Sequence, residues 1–349
     1  MRITRGSVFV WLTMAVMPAV VGFPHDSAGA ETTVRIGTTN SSSDVAFFIA
    51  DKKGYFKQEG INITLTPFDS AAKMVAPLGA GQLDVGGGAP SAGLYNAVAR
   101  GINIKIVADK GSSPPGYGYN PLLVRKDLVD SGRFKSFKDL KGFKVAGVAK
   151  GTSPDALLNE ALKKGGLKFS NVEMVYMGFP QHVLALQNKA VDAAVTTEPS
   201  ATRAEQSGAA VRYANDEIYP NQQIAVVLYG GSFIKENPEA AKKFMRAYIK
   251  AVRDYNDALK DGRLAGANAE EIIGILTEYT AIKDPKVYST IVPNGCNPDG
   301  EVNVANMKKD FEFYKSQGLI EGKVTVEQTV DRSFADAVVK EIGRYKPKG

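Results

Sequence analysis

The chain has 349 residues, of which 44% are hydrophobic and 23% are charged. This composition is typical of globular proteins, and the length is sufficient for two domains. The formal net charge is +6, but the basic residues are dispersed among acidic ones. Nucleic acid is therefore excluded as a partner on charge pattern.

The first thirty residues have the pattern of a secretory signal peptide. Arg2 and Arg5 precede an apolar run over 8–21, and Ala28-Gly29-Ala30 follows as an A-x-A cleavage site. The run is shorter than the ~20 residues that a transmembrane helix needs. We predict cleavage after Ala30, periplasmic localisation, and a mature chain with no membrane span.

Two segments repeat the same landmarks in the same order. "DVAFFIADKKG" at 44–54 matches "DALLNEALKKG" at 155–165. "LGAGQLDVGGGAPSA" from 78 matches "LQNKAVDAAVTTEPSA" from 186. The aspartates are 40 residues apart in one unit (Asp44 and Asp84) and 37 in the other (Asp155 and Asp192). Chance similarity is the alternative, but the shared order and spacing predict an internal duplication.

Each unit is predicted to alternate strands with helices. The first has strands at 34–37, 61–66 and 83–85 and helices at 45–53, 70–78 and 91–100. The second has strands at 144–148, 172–176 and 193–195 and helices at 155–164, 181–187 and 200–207. The run Gly86–Gly88 is expected to form a tight turn after its strand. A strand at 224–229 leads to helices at 238–260, 269–279, 303–316 and 326–344.

This order predicts an α/β fold with parallel sheets covered on both faces. We expect two similar α/β lobes joined by two hinge strands, with the C-terminal helices packed on the first lobe. The first lobe is predicted to comprise 31–121 and 225–349, and the second 122–224. The aromatic stripe in the helix from 238 is expected to be core.

Ligands of open parallel sheets bind beyond the carboxyl ends of the strands. The loops there carry hydroxyls and amides and lead into helix N-termini, whose free N–H groups bind anionic atoms. The alternative for Ser43, Ser91, Ser153 and Ser200 is simple helix capping. The predicted ligand-binding residues are Asn40, Ser41, Ser42, Ser43, Asp44, Asp69, Ala89, Pro90, Ser91, Lys110, Tyr117, Thr152, Ser153, Phe179, His182 and Glu198.

The motifs of common enzyme classes do not occur in the sequence. It has no G-x-x-x-x-G-K-[ST], no G-x-G-x-x-G at the glycine run and no G-x-S-x-G. After signal removal His182 and Cys296 are the only histidine and cysteine, which excludes His-based zinc sites and most His-dependent triads. Cys296 is expected to be a small core residue. We predict no catalytic residue, no metal and no cofactor; an exported enzyme on the same fold is the alternative.

Five ordered motifs resemble the extracytoplasmic substrate-binding proteins of ABC importers in the nitrate, sulfonate, taurine and thiamine-pyrimidine group, the NMT1-like family. The resemblance extends from about 34 to about 255, and it implies a bilobed clamp that holds a ligand between its lobes. It also implies partners: an ABC permease and ATPase complex in the inner membrane. The motifs are "DKKGYFKQEGI" (51–61), "LGAGQLDVGGGAPS" (78–91), "ARGINIKIVAD" (99–109), "FKDLKGFKVAG" (137–147) and "LQNKAVDAAVTTEPS" (186–200).

The ligand is predicted to be a small organic anion, either a sulfonate or an aromatic or other carboxylate. Lys110, Lys150 and His182 are its candidate charge partners, and Tyr117, Tyr119 and Phe179 are available as an aromatic wall. Asp69 and Glu198 instead favour a zwitterion or an amine-bearing heterocycle such as a thiamine pyrimidine precursor. A monomer is expected, and a sensor kinase or another transporter type is the alternative partner.

Overall fold

The structure is a computed structural model, and it describes residues 1–2, 6, 31–214 and 216–347. The predicted signal peptide thus lies almost entirely outside the described residues. The strands and helices all belong to the unit Glu31–Gly349. Among the described residues, no helix has both the length and the hydropathy that crossing a bilayer requires.

Twelve strands occur in the described residues. They are β1 (Thr32–Thr38), β2 (Ile61–Pro67), β3 (Val85–Gly88), β4 (Ile104–Ser113), β5 (Leu122–Arg125), β6 (Lys144–Gly147), β7 (Glu173–Tyr176), β8 (Ala193–Val195), β9 (Ala210–Ala214), β10 (Gln222–Gly230), β11 (Leu259–Lys260) and β12 (Arg263–Leu264).

Fifteen α-helices accompany these strands in the described part of the chain. They are α1 (Val45–Lys52), α2 (Tyr55–Gln58), α3 (Val75–Gly79), α4 (Ala92–Ala99), α5 (Lys126–Asp130), α6 (Ser153–Lys164), α7 (Phe179–Gln187), α8 (Ser200–Gln206), α9 (Gly231–Glu236), α10 (Pro238–Asp257), α11 (Ala269–Tyr279), α12 (Pro285–Thr290), α13 (Val304–Ser316), α14 (Val326–Thr329) and α15 (Ser333–Ile342). Short 3₁₀ helices lie at Ser42–Asp44, Ala71–Met74, Phe137–Leu140 and Phe169–Asn171.

The strands form two five-stranded sheets with the same design. The sheet of the first lobe has the order β2-β1-β3-β10-β4, and that of the second lobe has the order β7-β6-β8-β5-β9. The first three strands of each sheet are parallel, whereas β10 and β5 run antiparallel to both of their neighbours. Two similar α/β lobes are therefore confirmed. The predicted lobe boundaries stay a prediction.

The repeated aspartates at the start of β3 and β8 explain part of this likeness. The backbone N–H of Asp84 donates to the carbonyl of Arg35, and its carboxylate accepts from the Arg35 N–H at 2.8 Å. Asp192 makes the same pair of bonds with Lys144, and its carboxylate accepts at 2.9 Å. One carboxylate in each lobe thus ties the start of the third strand to the first strand.

The C-terminal helices complete the cores. The stripe of Phe244, Tyr248, Ala251 and Tyr255 on α10 is buried, as predicted, against α1 and its neighbours. Tyr248 and Phe47 have ring centroids 5.4 Å apart. Burial of such rings removes a large apolar area from water, which stabilises this layer.

Helix α13 contacts both lobes. Its Phe313 ring lies 5.2 Å from the ring of Phe169 in the second lobe. Its Asp310 accepts from the Tyr219 hydroxyl at 2.8 Å in the segment that leads back to β10. The predicted helix over 326–344 is divided into α14 and α15. The helix predicted over 238–260 ends at Asp257, and β11 occupies its last two positions, whereas α12 and β12 lie where no element was predicted.

The prediction that Gly86–Gly88 forms a turn was wrong, because these residues are the body of β3. They pair with β1 on one side and β10 on the other. A Cβ on Gly87 would lie 2.6 Å from Lys110 Cε and 2.7 Å from the Phe47 ring. Glycine is needed here because the Lys110 side chain passes directly over the strand.

Candidate functional site

A cavity lies between the two sheets at the carboxyl ends of their parallel strands. Its volume is ≈ 30 Å³, which exceeds the ~10–15 Å³ that one water molecule requires. Hydroxyl-bearing and small apolar residues from both lobes and from the crossing segments form its wall. They are Thr39, Ser41, Ser43, Ser70, Ala71, Gly88, Ala89, Tyr119, Asn120, Val148, Pro154, Phe179, Thr197, Ile224 and Ala225.

The loop after β1 folds around the carboxylate of Asp44. Ser41 caps the 3₁₀ turn Ser42–Asp44, and Asp44 reaches back to complete a capping box. Asp44 Oδ2 accepts from the backbone N–H groups of Thr39 and Ser41, each at 3.1 Å. This arrangement directs the hydroxyls of Ser41 and Ser43 toward the cavity.

Asp44 also forms an ion pair with Lys110 that is wholly buried. The Lys110 ammonium lies 2.9 Å from Asp44 Oδ1, and both side chains are 0% exposed. The same ammonium donates to Ser43 Oγ at 2.8 Å. Lys110 does not line the cavity. Asp44 matches its charge, and its ammonium approaches the cavity wall through Ser43; its role as a charge partner for a ligand stays a prediction.

The loop after β6 uses Asp155 in the equivalent way. Asp155 Oδ2 accepts from the Gly151 N–H at 2.8 Å and from the Tyr176 hydroxyl at 3.0 Å. Burial raises the pKa of Asp155 to about 7. The hydroxyl of Thr152 donates to Ala149, and that of Ser153 donates to Ile224, each at 2.7 Å. Both predicted ligand contacts are therefore engaged with backbone carbonyls.

Backbone amides connect the two lobes beside the cavity. The Ser42 N–H donates to the Glu198 carbonyl at 2.9 Å, and the Ala92 N–H donates to the Gly151 carbonyl at 2.8 Å. Backbone N–H groups at helix N-termini were predicted to bind an anion. In this conformation they hold one lobe against the other.

His182, the second predicted charge partner, does not line the cavity. Its Nε2 lies 3.2 Å from the Gly147 carbonyl and 3.1 Å from the Met177 carbonyl. Burial lowers the pKa of His182 to about 4, so the ring is neutral at pH 7. The ring packs at 5.7 Å on Phe179, which does line the cavity.

The two predicted acidic residues also point away from the cavity. Glu198 is buried and accepts from Thr202 N–H at 3.0 Å and from Arg212 Nη2 at 2.5 Å. Asp69 is half exposed and forms an ion pair with Lys73. Protein cations pair with both carboxylates, and their contact with a ligand stays a prediction.

The capping alternative holds for one of its four serines. Ser91 caps α4 by accepting from the Leu94 N–H at 3.1 Å, whereas Ser153 and Ser200 make no cap. Of the predicted ligand-binding residues, the cavity wall includes Ser41, Ser43, Ala89 and Phe179. It does not include Asn40, Ser42, Asp44, Asp69, Pro90, Ser91, Lys110, Tyr117, Thr152, Ser153, His182 or Glu198.

Asn120 lines the cavity but is missing from the predicted set. Its Oδ1 and Nδ2 are buried and have no hydrogen-bond partner, as is the case for the hydroxyl of its neighbour Tyr119. Both residues lie between β4 and β5, where the chain passes from one lobe to the other. That position before Pro121 is the sequence signal that could have identified Asn120.

Known proteins match this chain over most of its length. The family model described as NMT1/THI5 like matches residues 42–258. A candidate binding protein of Brucella abortus (strain 2308) is 30% identical over 250 residues, which are 71% of this chain and 70% of the relative. A candidate aliphatic sulfonates-binding protein of Bacillus subtilis (strain 168) is 27% identical over 314 residues, with 88% of each chain covered.

Solved structures share the two-lobed fold. The alkanesulfonate-binding protein of Xanthomonas axonopodis pv. citri, bound to MOPS, has a TM-score of 0.68 at 21% identity, covering 88% of this chain and 100% of that one. A desulfurization enzyme has a TM-score of 0.61 at 14% identity, covering 89% and 99%. At these identities the likeness shows the fold alone, and that fold serves both binding proteins and an enzyme.

Proposed function

Because the chain belongs to the NMT1/THI5-like family, we propose that it is a solute-binding receptor that captures a small organic molecule between its lobes and delivers it to an ABC importer. The observation that carries this proposal is the hydroxyl-lined cavity, whose wall is built from the strand-end loops of both sheets. A site at this place suits reversible capture. Export to the periplasm by the predicted signal peptide would bring the receptor to its permease.

Closure of the lobes follows from the site's construction. A ligand that touches both walls gains more contacts in the closed form, so it shifts the population toward closure. Two direct hydrogen bonds between the lobes stabilise the same closed form: the Ser42 N–H donates to the Glu198 carbonyl, and the Ala92 N–H donates to the Gly151 carbonyl. We propose that this closed form is the one that the permease recognises.

The loop around Ser43 supports a ligand with an acidic head group. Ser43 Oγ accepts from the Lys110 ammonium at 2.8 Å and lies 3.1 Å from Ser41 Oγ, so a ligand oxygen would take the Ser43 hydroxyl proton in place of Ser41. Donation from the ammonium polarises that hydroxyl and strengthens it as a donor. A sulfonate or carboxylate oxygen is the natural acceptor, and Val148, Phe179 and Ile224 offer an apolar wall for the rest of the molecule.

A second candidate ligand is a zwitterion or an amine-bearing heterocycle. None of the residues that line the cavity carries a formal charge, so its wall does not demand a net negative ligand. The unpartnered amide of Asn120 can also accept from an N–H group. For both reasons, the ligand screen also includes zwitterions and amine-bearing heterocycles.

We also propose that the chain is not an enzyme. The thiol of Cys296 is buried, and burial raises its pKa well above the ordinary value, which suits a core residue and not a nucleophile. Ser43 lies beside Lys110, but the pairing of that ammonium with Asp44 argues against a role as a base. We expect bound ligand to be released unchanged.

A thermal-shift and calorimetric screen of protein purified without refolding tests the proposal. Alkanesulfonates and aromatic carboxylates should raise Tm, and the hit should weaken about 10–100-fold in Ser43→Ala, because a charge-assisted bond is lost. The matched control is Ser207→Ala, because the Ser207 hydroxyl donates to the Ala204 carbonyl outside the cavity. If only an aminopyrimidine binds, the acidic head group is wrong; if no compound binds, the receptor role fails.

A further inference from the structure

Asn120 is the least satisfied buried side chain of the cavity wall. Its exposed fraction is 2%, and neither Oδ1 nor Nδ2 has a hydrogen-bond partner. Within the described ranges, no other buried amide leaves both of its atoms without a partner. Buried polar atoms nearly always have partners, because leaving them unpaired costs free energy.

Other buried amides of the chain show the usual behaviour. Asn294 Oδ1 accepts from the Tyr255 hydroxyl at 3.2 Å, and Asn306 Oδ1 accepts from the Gln223 N–H at 2.9 Å. These amides hold segments of the C-terminal region against the first lobe. Asn120 makes no comparable side-chain bond, so its retention in the cavity wall needs another reason.

The backbone on both sides of Asn120 is fixed, which sets the position from which its side chain extends. The Tyr119 carbonyl accepts from the Glu198 N–H at 3.0 Å, and the Pro121 carbonyl accepts from the Thr196 N–H at 3.2 Å. Both bonds attach this segment to the chain just after β8. A polar group held rigidly by its neighbours can distinguish ligands, because it cannot move away from a poor one.

We propose that Asn120 is a specificity-determining residue of the cavity and that the ligand presents an N–H donor beside an acceptor. This inference rests on the solute-receptor function proposed above. A carboxamide offers one acceptor and donors side by side, so its best partner is the edge of an amide, a ureido group or a ring lactam. The same ligand can place an acidic oxygen at Ser43.

Ligands that carry only acceptors should bind more weakly than ligands of the same charge and shape that also offer an N–H group to Asn120. A plain sulfonate or ketone can accept from Nδ2, but it offers no proton to Oδ1, which would stay buried and unpaired. Sites built to hydrogen-bond a ligand N–H discriminate strongly against the analogue that lacks it. The Tyr119 hydroxyl, also without a partner in the cavity wall, adds one more donor or acceptor beside the amide.

Matched probes that exchange one NH₂ group for CH₃ test the proposal, because a primary amide presents an N–H beside its carbonyl oxygen, whereas a trans secondary amide points the two apart. Succinamate and levulinate have the same charge and nearly the same shape, as do 4-amino-4-oxobutane-1-sulfonate and 4-oxopentane-1-sulfonate. Titration calorimetry should give a dissociation constant at least about tenfold lower for the N–H member of a pair. This preference should fall below about twofold in Asn120→Leu and, as a second variant, in Asn120→Ala.

The control variant is Asn188→Leu, an exposed position after α7 that is outside the cavity wall; it should keep the preference. Equal binding of both members of each pair overturns the assignment of Asn120 and leaves the receptor function intact. A preference that persists in both Asn120 variants also overturns it. If no member of either pair binds, the ligand class proposed here and the acid-binding receptor fail together.

Discussion

Asp44 and Asp155 occupy equivalent places in the two lobes, yet their surroundings differ. Each carboxylate accepts backbone N–H groups and so shapes the loop that follows the first strand of its sheet. Asp44 has the ammonium of Lys110 at 2.9 Å. Asp155 has the Tyr176 hydroxyl, and its Oδ1 has no hydrogen-bond partner.

This difference shows how a duplicated loop can acquire two properties. In the first lobe the carboxylate is paired with the Lys110 ammonium, which also donates to Ser43 at the cavity wall. In the second lobe the isolated, buried carboxylate has its pKa raised to about 7. The first loop is suited to ligand contact, whereas the second responds to pH. Four changes test this contrast, beginning with the largest expected effect.

Replacing Lys110 with Met should lower the free energy of unfolding by about 3–5 kcal/mol, because Asp44 would be left buried without a cation. Urea denaturation at pH 7 measures the loss. The double variant Lys110→Met with Asp44→Asn should be more stable than Lys110→Met alone. A loss below about 1 kcal/mol in the single variant would contradict the proposed burial of the pair.

Replacing Asp155 with Asn should change how stability depends on pH. The pKa of Asp155 is raised in the folded protein to about 7, so the folded state binds more protons between about pH 4 and 7 and wild-type stability falls as pH rises through that range. Relative to wild type, the variant should gain about 2–4 kcal/mol from pH 4 to pH 8.

Urea denaturation across this range measures the difference. Burial also raises the pKa of Asp109 to about 6 and that of Asp310 to about 7, but both are present in each protein and largely cancel. A pH-independent difference between variant and wild type would show that Asp155 does not titrate in this range.

Replacing Gly87 with Ala should cost about 1–3 kcal/mol, because the new Cβ would displace Lys110 and Phe47 from their positions. Thermal unfolding compared with Gly93→Ala measures this cost. A Cβ on Gly93 meets nothing closer than Ser91 Oγ at 3.8 Å, so that control should lose no stability. Equal melting temperatures of the two variants would refute the close approach of Lys110 to β3.

Replacing Lys150 with Ala should have the smallest effect. Lys150 is exposed. Its positive charge slightly lowers the pKa of Asp155 against the larger effect of burial. Stability should change by less than about 0.5 kcal/mol, and ligand affinity by less than about twofold. A larger loss of affinity would restore Lys150 as a charge partner, which the sequence analysis proposed.

Regular elements with local signals were predictable from the sequence. The strand at 193–195 and the helix at 269–279 have the bounds that were predicted, and the repeated aspartates correctly indicated similar lobes. The glycine run was misjudged because its role depends on Lys110, which is distant in sequence. Strand β4 was not predicted because its second half is polar and is a strand only through pairing with β10.

The cavity was predicted in position but only partly in composition. Ser41, Ser43, Ala89 and Phe179 follow strands, and topology alone brings such residues to the site. Glu198 and His182 also follow strands. The Glu198 carboxylate, however, pairs with Arg212, and the His182 ring contacts two backbone carbonyls. Sequence position indicates which residues approach a site, whereas hydrogen-bond partners determine where their charges point.

The antiparallel pairing of β4 with β10 has a consequence for folding order. All strands of the second sheet lie between these two partners along the chain. On a growing polypeptide, the second sheet has its complete set of strands before the first sheet does. Strand β4, whose neighbour in the sheet is β10, must wait for that strand, and such delayed, distant pairing slows folding. For a chain with the predicted signal peptide, this delay would lengthen the time in which export can precede folding.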